Sequence, residues 1–477
     1  MRPTTALLAL LAAGAAARPA AAQPEQPPAP APLRPYTVPP VEEFRLPNGV
    51  RVVVVRDAKL PIVAGRIMVD AGAALEPAEQ SGLAVLTGDL LDAGLPDLTG
   101  SQIVEEMERL GAEFGTSASY SYAFATLTAT KSAFPRAFAL AARTVMEPTF
   151  PPAEFQRVQG QNVAQAVQIR SSVEGLADEA FSRAVFEPGA PYSRPPYGNP
   201  ASLQRLTRDD VVAWHRTRYS PSNTTVLLVG DVTAAEARQM TTGTIGRWSA
   251  PAVQVPVVRN PAKPVTGTRV ILIDRPGSVQ SGVTVGQAGI GFADPAYFRW
   301  LGLSQVLGGG FNARLNMNLR ERHGWTYGAF SNLQALRGAG EFTLSSSVRT
   351  NVTDSAVAEM VREYRRIVEE PVPPEELQAA VANLVGSFPS SVQTVQGLMQ
   401  RMQSVLLYGL PVDYYASYRE RIAALTPQDI AAVAREKLTP DALTIVVAGD
   451  LAQIEAPIRA LNLGTVEVWD PDGNRVR

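Results

Sequence analysis

Apolar and polar positions alternate along this chain in two rhythms. Val50 to Val55 is an almost unbroken β-branched run after Pro47-Asn48-Gly49, which predicts a hairpin turn feeding a buried strand. From Ser101 to Leu110 the apolar residues Ile103, Val104, Met107 and Leu110 follow a helical spacing, with Ser101 as N-cap and Gly111 as the stop. Phe114 to Thr130 returns to a period near two, which predicts two strands. Thr207 then caps a helix through Arg218, and Pro221 turns the chain into a strand from Thr225 to Val229. The mixture predicts an α+β fold, an antiparallel sheet with helices packed on it.

The pattern occurs twice. Leu206-Thr207-Arg208-Asp209-Asp210 returns as Leu425-Thr426-Pro427-Gln428-Asp429, and the segment Val226 to Asp231 returns as Ile445 to Asp450, both at an offset of 219 residues. Ser220-Pro221 matches Thr439-Pro440 in the same register. Upstream, Phe150 to Phe155 pairs with Val372 to Leu377 at an offset of 222. Such a period is far beyond the roughly 20–50 residues of a solenoid repeat. It predicts two homologous domains, at 41–255 and 265–477, joined by a Pro-rich linker at 256–264.

Ahead of the first domain, Arg2, the apolar run Ala6 to Ala17 and Ala20-Ala21-Ala22 have the form of a signal peptide over 1–22. Residues 23–40 are dominated by Pro and Ala and are expected to form an extended tether. These features predict an exported, periplasmic protein. No later stretch approaches the roughly 20 consecutive apolar residues of a spanning helix.

Composition narrows the chemistry. The 477 residues contain no cysteine, which removes disulfides and thiolate ligands, and only two histidines, His215 and His323. A net charge of −2 without a basic block argues against a nucleic-acid partner. G-x-S-x-G, S-x-x-K, Walker and H-E-x-x-H strings are absent. Gly308-Gly309-Gly310-Phe311-Asn312-Ala313 fits a dinucleotide fingerprint as a string, but the helical spacing of Tyr297 to Leu307 before it is the wrong context. A loop lining a cleft and a plain helix-ending loop both remain open for these glycines.

Several segments together resemble the pitrilysin/insulinase family of inverted-motif zinc peptidases. They are Gly82-Leu83-Ala84 with Gly94, Leu110-Gly111-Ala112, Tyr192 to Gly198, and Tyr219 to Asn223. In the second half they are the glycine run Gly308 to Gly310, Arg314-Leu315, and Leu319 to Tyr327, where Arg320 and Tyr327 keep the spacing of the family's Arg-x6-Tyr pair. The resemblance runs from about residue 43 to 455 and implies two homologous α+β halves forming a clam-like half chamber.

It also implies what has been lost. The family's H-x-x-E-H metal helix falls on Val85-Leu86-Thr87-Gly88-Asp89, with neither histidine nor glutamate, and no carboxylate lies between Glu154 and Glu174, where a third ligand is expected near Gln165. Catalytic zinc needs three protein ligands and an open position. This chain is therefore expected to hold no metal at Val85, Gly88 and Asp89, and Asp89 reads as a solvated or capping carboxylate. Arg320 and Tyr327 are implied to steady the scissile peptide. Without the family, Arg320 reads as a partner of Glu321 and Tyr327 as half-buried core. Gly308, Gly309, Gly310 and the strand residues Thr116, Ser117 and Ala118 are implied to meet substrate, although small residues also suit a protected sheet edge. His215 reads as packing and His323 as surface.

The expectation is a non-catalytic subunit of an exported heterodimeric zinc metallopeptidase acting on peptides, inactive alone. A homologous partner subunit carries the zinc. The alternative is a structural or peptide-binding protein with no peptidase role.

Overall fold

The computed structural model describes residues 35–477. The expected signal peptide at 1–22 and most of the expected tether lie outside the described residues. Two six-stranded sheets organise the rest. The first comprises β1 (Val41–Arg45), β2 (Arg51–Arg56), β3 (Ile62–Val69), β4 (Glu113–Ala118), β5 (Ala123–Thr130) and β6 (Thr224–Gly230), in the order β1-β2-β6-β3-β5-β4. The second comprises β7 (Arg269–Asp274), β8 (Gln280–Ala288), β9 (Ala329–Gln334), β10 (Glu341–Arg349), β11 (Thr444–Gly449) and β12 (Thr465–Trp469), in the order β12-β7-β11-β8-β10-β9.

The predicted local signals are recognisable. Gly49 takes a left-handed φ of 102° in the β1–β2 turn. Thr207 caps the helix Arg208–Arg218 reciprocally with Asp210, and Thr426 does the same for Pro427–Lys437 with Asp429. The helix expected from Ser101 runs over Gly100–Arg109, because Thr99 and Gln102 form its capping box. The α+β class holds, but the sheets are mixed rather than purely antiparallel. β2 pairs parallel to β6, and β7 pairs parallel to both β11 and β12. In the β2–β6 and β7–β11 pairs the strands lie far apart in the chain, and long helical crossovers connect them.

The continuous apolar runs are explained by burial on both faces of each sheet. Val52 and Val54 of β2, with Val226 and Leu228 of β6, pack into a core with helices of their own half, among them Phe134–Met146. Val53, Val55, Leu227 and Val229 face the other way, onto Leu398, Met399 and Met402 of the helix Val395–Leu407 from the second half. The second sheet mirrors this. Val270, Leu272, Ile445 and Val447 belong to its own core, while Ile271, Ile273, Val446 and Ala448 pack against Leu176, Ala177 and Phe181 of the helix Val173–Val185 from the first half. At Gly282 of β8 an added Cβ would stand 2.5 Å from the carbonyl oxygen of Val173, so the strand needs glycine where that helix begins. Each half thus lends one helix to the other's sheet. No helix among the described residues is long and apolar enough to cross a membrane.

Candidate functional site

The degenerate motif lies on the short helix α1 (Leu83–Asp89), whose N-cap is Gly82 at φ 97°. Glu76 anchors its start: the backbone N–H groups of Gly82 and Ala84 donate to the Glu76 carboxylate at 2.9 and 3.0 Å. Burial pushes this carboxyl up to about 8, opposed by those donors and by Arg194.

Asp89 is half-buried and bonded at both oxygens by side chains, rather than the solvated or capping carboxylate that its sequence context suggests. Ser117 Oγ of β4 donates to Oδ1 at 2.6 Å, and Asn162 Nδ2 donates to Oδ2 at 2.9 Å. Burial raises its pKa against these two bonds. Asn162 lies on the helix Pro152–Arg170 and is buried, whereas Gln165, the residue nearest the expected third ligand, is exposed. The contact from this helix therefore comes from Asn162, which the search for a carboxylate passed over. Burial also raises Asp92, next along, with the Asp89 charge adding to it. The Tyr219 hydroxyl is buried without a hydrogen-bond partner and, like Asp92, feels the charge of Asp89.

Gly88 is closed by the neighbouring strand. A Cβ there would stand 2.4 Å from the carbonyl carbon of Ser117 and 2.7 Å from the amide of Ala118. The backbone of β4 rests where a side chain would project. Val85 offers no donor atom, Gly88 has no room for one, and Asp89 is already engaged. These residues do not fit a zinc ion. Among the described residues no group of three His, Cys, Asp or Glu side chains is placed to hold a metal. The His215 ring lies tilted against Tyr219 with its ring nitrogen against the Val145 carbonyl, and His323 stacks on Trp325.

Thr116, Ser117 and Ala118 lie on β4, one of the two edge strands of the first sheet, paired with Ala125, Phe124 and Ala123. Ser117 is turned toward Asp89, so its side chain is already occupied.

In the second half the glycine run ends the helix Tyr297–Gly308. An added Cβ at Gly308 would meet the Ser331 amide at 2.2 Å, and one at Gly309 would meet Gln305 Cα at 2.6 Å. Packing alone accounts for these two glycines, whereas Gly310 meets only the Gln305 side chain at 3.3 Å. Arg314, just after the loop, forms a two-bond ion pair with Glu376 at 2.7 and 2.8 Å.

Arg320 lies in the π-helical turn Met317–Arg322. Its Nε is 3.4 Å from Glu321, and its guanidinium sits 4.7 Å from the centre of the Phe311 ring. Tyr327 is 91% exposed and stands free of the core. It overhangs a hollow of about 350 Å³ whose lining includes Glu174, Asp178, Thr284, Phe330 and Ser345. Phe311, Met317 and Phe330 are exposed along the same segment of chain.

Comparison with known proteins agrees with this architecture. Residues 51–189 match the family described as Insulinase (Peptidase family M16), and residues 205–384 match Peptidase M16 inactive domain. A Streptomyces coelicolor protein named an uncharacterized zinc protease is 27% identical over 267 residues, covering 54% of this chain and 57% of its own length. A Helicobacter pylori protein named a non-peptidase homolog is 22% identical over 75% of this chain and 82% of its own. A crystal structure of a peptidase M16 inactive domain from Pseudomonas fluorescens superposes with a TM-score of 0.79 at 25% identity, covering 86% of this chain and 98% of that one. The two family matches, which together cover most of the chain, and the shared fold make this chain a member of the insulinase, or M16, peptidase family.

Proposed function

We propose that this chain is the non-catalytic subunit of an exported, periplasmic heterodimeric zinc peptidase that degrades peptides. The zinc and the water-activating base come from a homologous partner subunit, while this chain contributes Arg320, Tyr327 and part of the chamber wall. One contrast carries the proposal: the metal helix is closed over Gly88, yet Tyr327 is held 91% exposed, where it can meet a second molecule. The similarity to a protein named a non-peptidase homolog and to an inactive-domain structure supports the same division of labour.

In this arrangement the Tyr327 hydroxyl and the Arg320 guanidinium donate hydrogen bonds to the oxyanion that develops on the scissile carbonyl. Such a donor in a water-poor site contributes about 3–4 kcal/mol. The test is to combine the purified chain with its zinc-bearing sister and assay peptide cleavage. Activity is expected only from the mixture, and Tyr327→Phe is expected to lower kcat by about 10²–10³-fold. Equal activity with and without this chain would overturn the proposal.

A second reading, a peptide-binding protein with no peptidase role, is favoured by the local partners Glu321 and Phe311 that already occupy Arg320. It predicts that mixtures carrying Arg320→Ala and the unchanged chain behave alike.

A further inference from the structure

The helix Val173–Val185 of the first half packs on β8 and β11 of the second sheet, and β10 and β9 continue that sheet beside it. Two hollows, of about 350 and 390 Å³, are lined by this helix on one side and by β10 on the other. They share Asp178 and Ser345 as lining residues, so they adjoin and form one elongated cavity. Glu174 lines the first hollow and Glu341 the second, which sets three carboxylates in the order Glu174, Asp178, Glu341. Val283 and Phe330 in the first hollow and Phe181 in the second give the wall between these charges an apolar character.

Among the described residues no Lys, Arg or His lines either hollow. Glu174 and Asp178 stand four residues apart on one helix face, about 5–6 Å between their Cβ atoms, where like charges repel. Asp178 accepts one bond, from the Thr284 hydroxyl to Oδ1 at 3.1 Å. Glu179 also reaches the wall, but Arg170 and the Tyr197 hydroxyl satisfy it. Glu341 comes from a different element. It belongs to β10, opposite Gln334 of β9 and Ala288 of β8, and is nine-tenths buried. The Ser182 hydroxyl is the only group that eases its charge, and that hydroxyl donates to the Asp178 backbone carbonyl at 3.2 Å. Burial pushes Glu341 up to about 7, with Asp178 adding to the rise. A buried carboxylate that faces a cavity without a counter-charge is costly, and a cation entering the cavity would remove that cost.

The spacing of the charges selects the cation. Among the described residues no three acidic side chains converge to hold a metal ion, so a compact dication is poorly matched. Carboxylates strung along an elongated, partly apolar cavity match a flexible chain whose ammonium groups are separated by short methylene runs. Each ammonium can face a carboxylate while the methylenes pack against Val283, Phe330 and Phe181. Tyr120 and Tyr197 bring aromatic rings to the second hollow, which also suit an ammonium. We propose that the cavity between the helix Val173–Val185 and β10 binds a free linear polyamine, held by Glu341, Asp178 and Glu174. The site belongs to this chain alone and does not require the assisted catalysis proposed above.

The test is isothermal titration calorimetry on the purified full chain without any partner subunit. Spermidine is expected to bind at one site per chain. Fully N-acetylated spermidine keeps the chain length without the charge, magnesium chloride supplies a compact dication, and Nα-acetyl-lysine amide supplies a single ammonium like that of a peptide side chain. Each of these probes is expected to bind at least about tenfold more weakly than spermidine. Glu341→Gln and Asp178→Asn, nearly isosteric with the native residues, are each expected to weaken spermidine about tenfold. Circular dichroism melts identify any variant that has lost its fold, and the comparison of probes on the unaltered chain stands without them. No saturable binding of spermidine, or equally tight binding of the acetylated form, of magnesium or of the lysine amide, would each overturn the polyamine site. Folded variants that bind spermidine as tightly as the unaltered chain would overturn it as well. Because no zinc subunit is present, these outcomes are independent of the peptidase assay.

Discussion

Ser117 Oγ donates to Asp89 Oδ1 at 2.6 Å and thereby ties an edge strand of the first sheet to the last residue of the degenerate metal helix. The same strand lies over Gly88 so closely that a single methyl group would strike its backbone. The misfit of these positions to a zinc ion therefore lies in the packing of a strand on a helix as well as in the types of their side chains.

Gly88→Ala is accordingly expected to destabilise the chain by about 1–3 kcal/mol through overpacking, read as a lower urea midpoint at unchanged slope. Rewriting Val85, Gly88 and Asp89 as His, Glu and His is expected to yield no stoichiometric zinc by elemental analysis of folded protein. Recovery of one tightly bound zinc in a folded variant would refute the steric account.

Asn162→Ala leaves one oxygen of a half-buried carboxylate without its donor. A loss of about 1–3 kcal/mol is expected by denaturant unfolding, reduced when Asp89→Asn is added. Strict additivity of the two changes would show that the Asn162–Asp89 bond contributes nothing.

Glu341 gives a pH signature of defined sign. Its folded pKa, about 7, lies above the ordinary glutamate value of 4.5, so between these values the folded state holds more proton than the unfolded state. The contribution of Glu341 to stability is greatest at low pH and falls as pH rises through about 7. Unfolding free energies measured between pH 5 and pH 8 are expected to decline less steeply in Glu341→Gln than in the unaltered chain. Identical slopes would contradict it.

The exchanged helices predict joint unfolding. Phe181→Ala removes a ring from the first half's helix where it packs on the second sheet, and about 3–5 kcal/mol of stability is expected to go with it. Urea unfolding is expected to remain a single transition. Residues 41–255 expressed alone would expose the faces that carry Val53, Val55 and Phe181, and are expected to aggregate or remain unfolded. Two separate transitions would show that each half has its own sufficient core.

Much of this architecture is legible in the chain. The β-branched runs, the capping residues Thr207 and Thr426, and the register between Val226 and Ile445 specify two copies of one α+β unit. The parallel pairings and the helix exchange are not legible, because an unbroken apolar run such as Val52 to Val55 reports burial on both faces without naming what covers them. The site divides in the same way. The emptiness of positions 85 to 89 is visible in residue types, but the bonds from Ser117 and Asn162 to Asp89 depend on strand and helix placement. Likewise, nothing in the string Gly308-Gly309-Gly310 reveals that two of the three glycines are required by the Ser331 amide and by Gln305.

The reciprocal loan of helices between the two sheets has a mechanical consequence. A hinge needs a boundary that few contacts cross, yet here the apolar faces of Leu227, Val229, Ile271 and Ile273 are each sealed by the opposite half. Bending the molecule at 256–264 would strip both seals at once. The two halves are therefore built to move as one body, and a motion that parted them would have to expose the apolar faces of both sheets together.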